Sequence, residues 1–381
     1  MSNTNRVQLA YIEEESFGGE HVVGNAQILR LRGEGFKQNT AVITSEEIRS
    51  DRQIVDVIRT GRSGEGNIDF ELSYGTYDEL LKSVLMDSDW SVAVNIQAIT
   101  ISAASADNSF NDSGSGFGSF VADEWIQVSG FTNPANNGIF KIVSKTNSKL
   151  VVAGGILVIE AEGDTVHIKQ GERIINGITL DSYAFERKYV DLNSYSSFKG
   201  VCLNQLSIDV PADGIIKGSF ATIHVGEEST GLSESYDDPT TTEPVTGANH
   251  VQNILENMGE LAILSTSLTL NNNLRTRLQV GTLGAVGVGT GSVEIGGGLQ
   301  IYFENHTLFN KYLNQDETSL SLVVEDNDGN IYVIDLPSIK ITGGQRVAGG
   351  LNTDVIGDFE WKAFMNPDEE ITIKIVRFPF A

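Results

Sequence analysis

The chain has 381 residues, 40% hydrophobic and 20% charged, with 40 glycines and 7 prolines, enough to bury one large core or two to three ordinary ones. Its formal net charge is −25, from 26 basic and 51 acidic residues, which excludes binding a nucleic-acid backbone by counterion release, since that needs a basic surface. A single cysteine, Cys202, in an apolar run excludes an intramolecular disulfide framework and reads as a buried thiol.

Residues 1–40 read as an extended polar arm suited to lying on a neighbouring subunit. The N-terminal segment MSNTNRVQLAYIEEES has no apolar signal core, and no run of 18 apolar residues occurs anywhere. Neither export nor a membrane span is therefore expected. Residues 41–74 read as two strands joined by a loop at Thr60–Gly66, where three glycines suggest a hairpin. In the second strand Ile68, Phe70, Leu72 and Tyr74 alternate with Asn67, Asp69, Glu71 and Ser73. That pattern predicts a sheet with one face on a core and one in water. Tyr77–Leu85 follows as a short helix, with Leu80, Leu81, Val84 and Leu85 on one stripe.

Residues 95–170 change character. Short strands at Trp125–Val128 and Lys149–Val152 alternate with turn clusters at Asn111–Gly114 and Asn133–Gly138, which predicts a small all-β module inserted into the first domain. The first domain is thus 1–94 with 171–235. Residues 226–250, rich in Ser, Thr, Pro and acid, read as an exposed linker, with 236–250 as its domain-joining part. The second domain, 251–381, repeats the layout of the first. Two strands flank the Gly-rich 281–298, and Val293, Ile295, Leu299 and Ile301 share one face. A helix follows at His306–Leu313. This predicts an internal duplication.

No pattern points to catalysis, a cofactor or a metal. The 281–298 run lacks the lysine of a phosphate-binding loop. Asp326–Asn330 has its glycine at the wrong position for a calcium loop and reads as a hairpin turn. The five histidines are scattered without metal-ligand spacing. Trp90, Trp125 and Trp361 read as core anchors.

Several segments then resemble the tail tube protein family of siphoviruses, the long-tailed bacteriophages. They are Ser45–Gln53, Asp69–Gly75 with the Leu80–Leu81 helix, Phe185–Tyr189, Leu268–Arg275 and Gly281–Gly289. The insert around Gly130–Gly138 resembles an extra module of some members. The likeness covers most of 1–94 and 171–370. It implies a mostly β fold: tandem tail-tube β-sandwich/barrel domains, each with a short flanking helix, plus the inserted β module. It also implies a structural, non-enzymatic virion protein, assembled in the host bacterial cytoplasm. Copies would form stacked pseudo-sixfold rings, three two-domain subunits or alternatively six subunits, enclosing a bore for DNA that is not specifically bound. Other tail proteins such as the tape measure and terminator would be partners. On this reading Asp69, Glu71, Glu294 and Gln300 line the bore, where carboxylates repel phosphate; the alternative is an outer solvated face. Arg62, Ser63, Gly64, Glu65 and Gly66, with the N-terminal arm, would make inter-ring contacts. The insert would sit outside. Rival readings are another β-rich tail component, a surface adhesin, which predicts an export signal, and a carbohydrate-binding or carbohydrate-active β protein, which predicts a concave site.

Overall fold

Strands with alternating burial dominate the computed structural model. It describes residues 2–232, 235–348 and 350–380; Met1, Ser233, Glu234, Gly349 and Ala381 lie outside them. The pattern at 67–72 holds: Ile68, Phe70 and Leu72 are buried, while Asn67, Asp69 and Glu71 stay partly open. The other polar member, Ser73, is buried and bonded to Thr76 at 2.7 Å.

The central feature is one antiparallel sheet. Its strands run in the order Lys37–Thr44, Val57–Glu71, Lys217–His224, Ser194–Pro211, Ile263–Asn271, Glu294–Tyr302, Val355–Ala363 and Ile331–Ala348. Two of these strands are long. Ser194–Pro211 and Ile331–Ala348 each cross from a second layer into this sheet, which lets one strand serve both layers. In the second layer Val7–Glu13 and Tyr183–Tyr189 pair in the first half. Val251–Glu256 and Glu317–Glu325 pair in the second. A single apolar core lies between the layers, including Phe70, Leu206 and Phe220 from the first half and Leu299, Phe359 and Trp361 from the second.

The element order is the same in both halves: a layer strand, a hairpin, a helix, a second layer strand, then a hairpin built on the long strand. The helices Asp78–Leu85 and Thr307–Asn314 have equal length, and each ends in a left-handed residue, Met86 and Gln315, both at φ 59°. Even the bulges coincide. One interrupts the long hairpin between Leu203 and Gln205, and the other between Ile341 and Gly343.

Residues 94–170 form a separate seven-stranded sheet with its own aromatic core, including Phe110, Phe117, Phe120, Phe131 and Phe140. Its first and last strands, Val94–Ala98 and Val166–Gln170, pair with each other. The module therefore leaves and re-enters the host at one place. Its apolar contact is with the second half of the chain, while toward the half it interrupts Glu124 pairs with Arg173. Trp125 and Ile139 cover Leu255, Val323, Ile331, Val333 and Val376 on the back of the second layer. Lys141 Nζ reaches Asp335 at 3.0 Å and Glu369 at 2.8 Å; Lys374 Nζ reaches Glu369 at 2.9 Å and Glu124 at 3.3 Å. Burial works against the Lys141 ammonium, but Asp335 and Glu369 together hold it above its ordinary range.

Three expectations change. The N-terminal arm is not free: Val7–Glu13 is a strand within its own subunit, with Leu9 and Ala10 fully buried. Its apolar run faces core on both sides, so alternation is absent. The Thr60–Gly66 loop does not exist. Val57–Glu71 is one strand, and its glycines serve close approach: a Cβ on Gly64 would sit 2.1 Å from the His224 ring, and one on Gly66 2.9 Å from Phe36. The true connection is 45–56. Finally, the described residues between 226 and 246 are tied down, and Gly247–His250 is a short helix. Tyr236–Asp237 pairs with Ala26–Gln27, the Val245 amide donates to Leu72 O at 2.8 Å, and Val245 is buried.

His224 gives the fold a specific acid sensitivity. It is 1% exposed, wedged against Phe36 and Phe198, and burial pulls its pKa from 6.5 down to about 4. Between those values the unfolded chain binds the proton and the folded chain does not. Stability therefore falls as pH drops from 6.5 to 4, by about 3 kcal/mol at most from this group. We expect His224→Leu to flatten that segment of the stability curve, measured by urea unfolding at successive pH values.

Candidate assembly surface

The eight-stranded sheet has a polar face turned away from the core. On the second strand Asp69 accepts hydrogen bonds from Ser219 Oγ at 2.7 Å and Asn67 Nδ2 at 2.9 Å, while Glu71 stands opposite Lys217. On the sixth strand Gln300 accepts from Ser265 Oγ at 3.2 Å, and Glu294 faces Asn271. All four anticipated residues thus lie on one face, in two groups separated by three strands. Asp69 and Gln300 occupy corresponding places: Asp69 sits across from Ser219 and Gln300 across from Asp358, each one position beyond a buried Phe220 or Phe359.

Of the segment 62–66, Ser63 and Glu65 share this polar face, and Arg62, Gly64 and Gly66 turn inward. Glu65 pairs with Lys37 at 2.9 Å, and the Lys37 ammonium, helped by the Asn39 amide, holds Glu65 below the usual carboxylate range. The sequence reading missed Asp209, Asp358 and Glu360 on the same face. Their signal was present as alternation, since Gly357, Phe359 and Trp361 are buried between them.

The second half needs glycine for the same reason as the first. A Cβ on Gly297 would lie 1.9 Å from Ser267 O and 2.6 Å from the Trp361 ring, so the Gly-rich stretch lets a buried tryptophan lie flat against the strand.

The face ends in open edges. Among the described residues, Lys37–Thr44 pairs only with Val57–Glu71, and beyond residue 341 the long strand pairs only with Val355–Ala363. Val42 and Ile43 are more than half exposed along the first edge. Unpaired edges with exposed apolar side chains are sites for another strand. Beyond the sheet, the 45–56 connection projects Ile48 at 101% and Ile54 at 69% exposure, and the Arg275–Gly289 hairpin projects Leu278 and Val280.

A family model described as phage tail tube protein matches residues 4–363. The chain belongs to this family. No individual curated protein matches the sequence. Tail tube proteins are structural components of the virion tail that self-assemble with other tail proteins, and theirs is not an enzyme family. The mostly β architecture agrees with that membership. Among the described residues no cluster of His, Cys, Asp or Glu is arranged to hold a metal ion, and no helix is long and apolar enough to cross a membrane.

Proposed function

We propose that three copies close into a pseudo-sixfold ring, that rings stack into a hollow tail tube, and that DNA passes through the bore without specific binding. One observation carries this reading. The sheet is two equivalent four-stranded units joined head to tail, with the last strand of the first pairing to the first strand of the second. The same two kinds of strand stand unpaired at its ends. Such a contact is heterologous, and repeating it closes a ring if the rotation is right. Closure also pairs both open edges of this sheet.

Size favours three chains over six. Three sheets give 3 × 8 strands, and at about 4.8 Å spacing and a tilt near 40° the barrel is roughly 50 Å across its backbone. Six chains would double that, far beyond what a duplex needs. The polar face, with Asp69, Glu71, Glu294 and Gln300, then lines the bore. The inserted module lies on the opposite side of the sandwich and so decorates the exterior. The projecting 45–56 connection and the 275–289 hairpin would contact the next ring, in place of the arm and the 62–66 segment. The tape measure and terminator remain the expected tail partners.

Electron microscopy of the purified protein tests this reading: hollow tubes or rings with three chains per ring are expected, and persistent monomers would defeat it. The double change Asp69→Asn with Glu71→Gln should leave rings intact and slow DNA release from virions carrying it. Unchanged release with normal tubes would remove these residues from the bore.

A further inference from the structure

We infer that the junction inside the chain prescribes, residue by residue, the junction between chains; this rests on the ring reading above. Within the chain, Gln205 pairs with Asn271, Ser207 with Thr269 and Asp209 with Ser267. Each partner has an equivalent at a free edge, and the equivalence is fixed by hydrogen-bond registers that are independent of that junction.

On one side, the bulges match Leu203–Gln205 to Ile341–Gly343. Ser207 therefore corresponds to Gln345, and Gln205 to Gly343. The cross-strand neighbours agree: Leu206 faces Phe220, and Gly344 faces Phe359; Ile208 faces Gly218, and Arg346 faces Gly357. On the other side, Phe220 and Phe359 align Ile68 with Leu299, and hence Glu65 with Gly296. Thr269 pairs with Gly296 and Lys37 pairs with Glu65, so Lys37 corresponds to Thr269. By the same count Asn39 corresponds to Asn271, and Phe36, buried in the core, corresponds to the buried Leu268.

The occupant of the open edge is a second copy of this chain. Its Lys37 lies opposite Gln345, its Asn39 opposite Gly343 and its Phe36 opposite Arg346. Inward and outward residues meet their own kind on every rung. A slip of one residue would turn the polar face of the incoming sheet into the core, so the register is strongly specified.

The test is a cysteine pair on the polar face, where Lys37 and Gln345 are both exposed. Cys202 does not interfere, being fully buried with its thiol pushed up to about 12. Directly opposed residues bring their Cβ atoms within about 5 Å, near disulfide distance. Lys37→Cys with Gln345→Cys should oxidise to a covalent closed trimer, at least tenfold more than Asn39→Cys with Gln345→Cys, a two-residue slip. Rings seen by microscopy in which the slipped pair cross-links better, or neither pair does, would overturn the register and leave the ring standing. Unoxidised protein of both variants, and of wild type, that forms no rings at all would overturn both.

Discussion

Thr40→Pro is expected to yield a folded protein that no longer forms rings. The backbone geometry singles out this position. The Arg62 amide donates to Leu283 O at 2.9 Å, away from the first strand. Its partner Thr40 consequently turns its own N–H outward, toward the open edge, because opposed residues in an antiparallel pair alternate between bonding each other and bonding away. The equivalent residue inside the chain is Asn272, whose amide donates to Asn204 O at 2.8 Å. In the ring the Thr40 amide would donate to Thr342 O of the adjacent copy. Proline deletes that donor and crowds the incoming strand. It breaks no hydrogen bond of the isolated hairpin, so the edge strand tolerates it. The melting temperature of the unassembled subunit should move by only a few degrees. Assembly, followed by light scattering, should fall by at least a hundredfold. A variant that assembles normally would show that the 37–44 edge is not the joining surface.

Trp125→Ala is expected to destabilise the subunit by about 3–5 kcal/mol, the range for emptying a large buried aromatic site. Trp125 is fully buried where the inserted module meets the second half. Removing it opens a cavity against Val333 and Val376 and loosens the ionic cluster of Lys141, Lys374, Glu369 and Asp335 behind it. Those charges are stable in the interior only while paired. Trp125→Phe should cost far less, since the indole N–H has no partner and most of the volume is kept. Equal losses for the two variants in chemical denaturation would mean that the contact is not packed as described. If the module were only an ornament, the alanine variant would melt it alone and leave a two-step transition; one shared, lowered transition is expected.

What the sequence made legible was local. The alternation at 67–72, the helices before Met86 and Gln315, and the turn at Asp326–Asn330 each draw their signal from neighbours a few residues apart. The Asp326 carboxylate indeed closes its turn on the Asp328 and Asn330 amides. The polar face of the sheet was readable by the same alternation, which gave Asp69, Glu71, Glu294 and Gln300 but not Asp209, Asp358 and Glu360. What stayed hidden depended on distant partners. Gly64 looks like turn chemistry until His224, 160 positions later by numbering (224 − 64), is seen lying against it. Val7–Glu13 looks like an arm because its apolar residues do not alternate, and only the layers on both its sides explain that. The docking of the module onto the half it does not interrupt left no periodic trace at all.

The module occurs once per chain, whereas the sheet unit occurs twice. A tube assembled from such chains would carry near-sixfold texture on its inner wall and true threefold texture on its outer wall. A component that plugs or threads the channel would encounter six almost interchangeable footholds. One that grips the shaft from outside would find only three, spaced a third of a revolution apart, and could use them to count orientation.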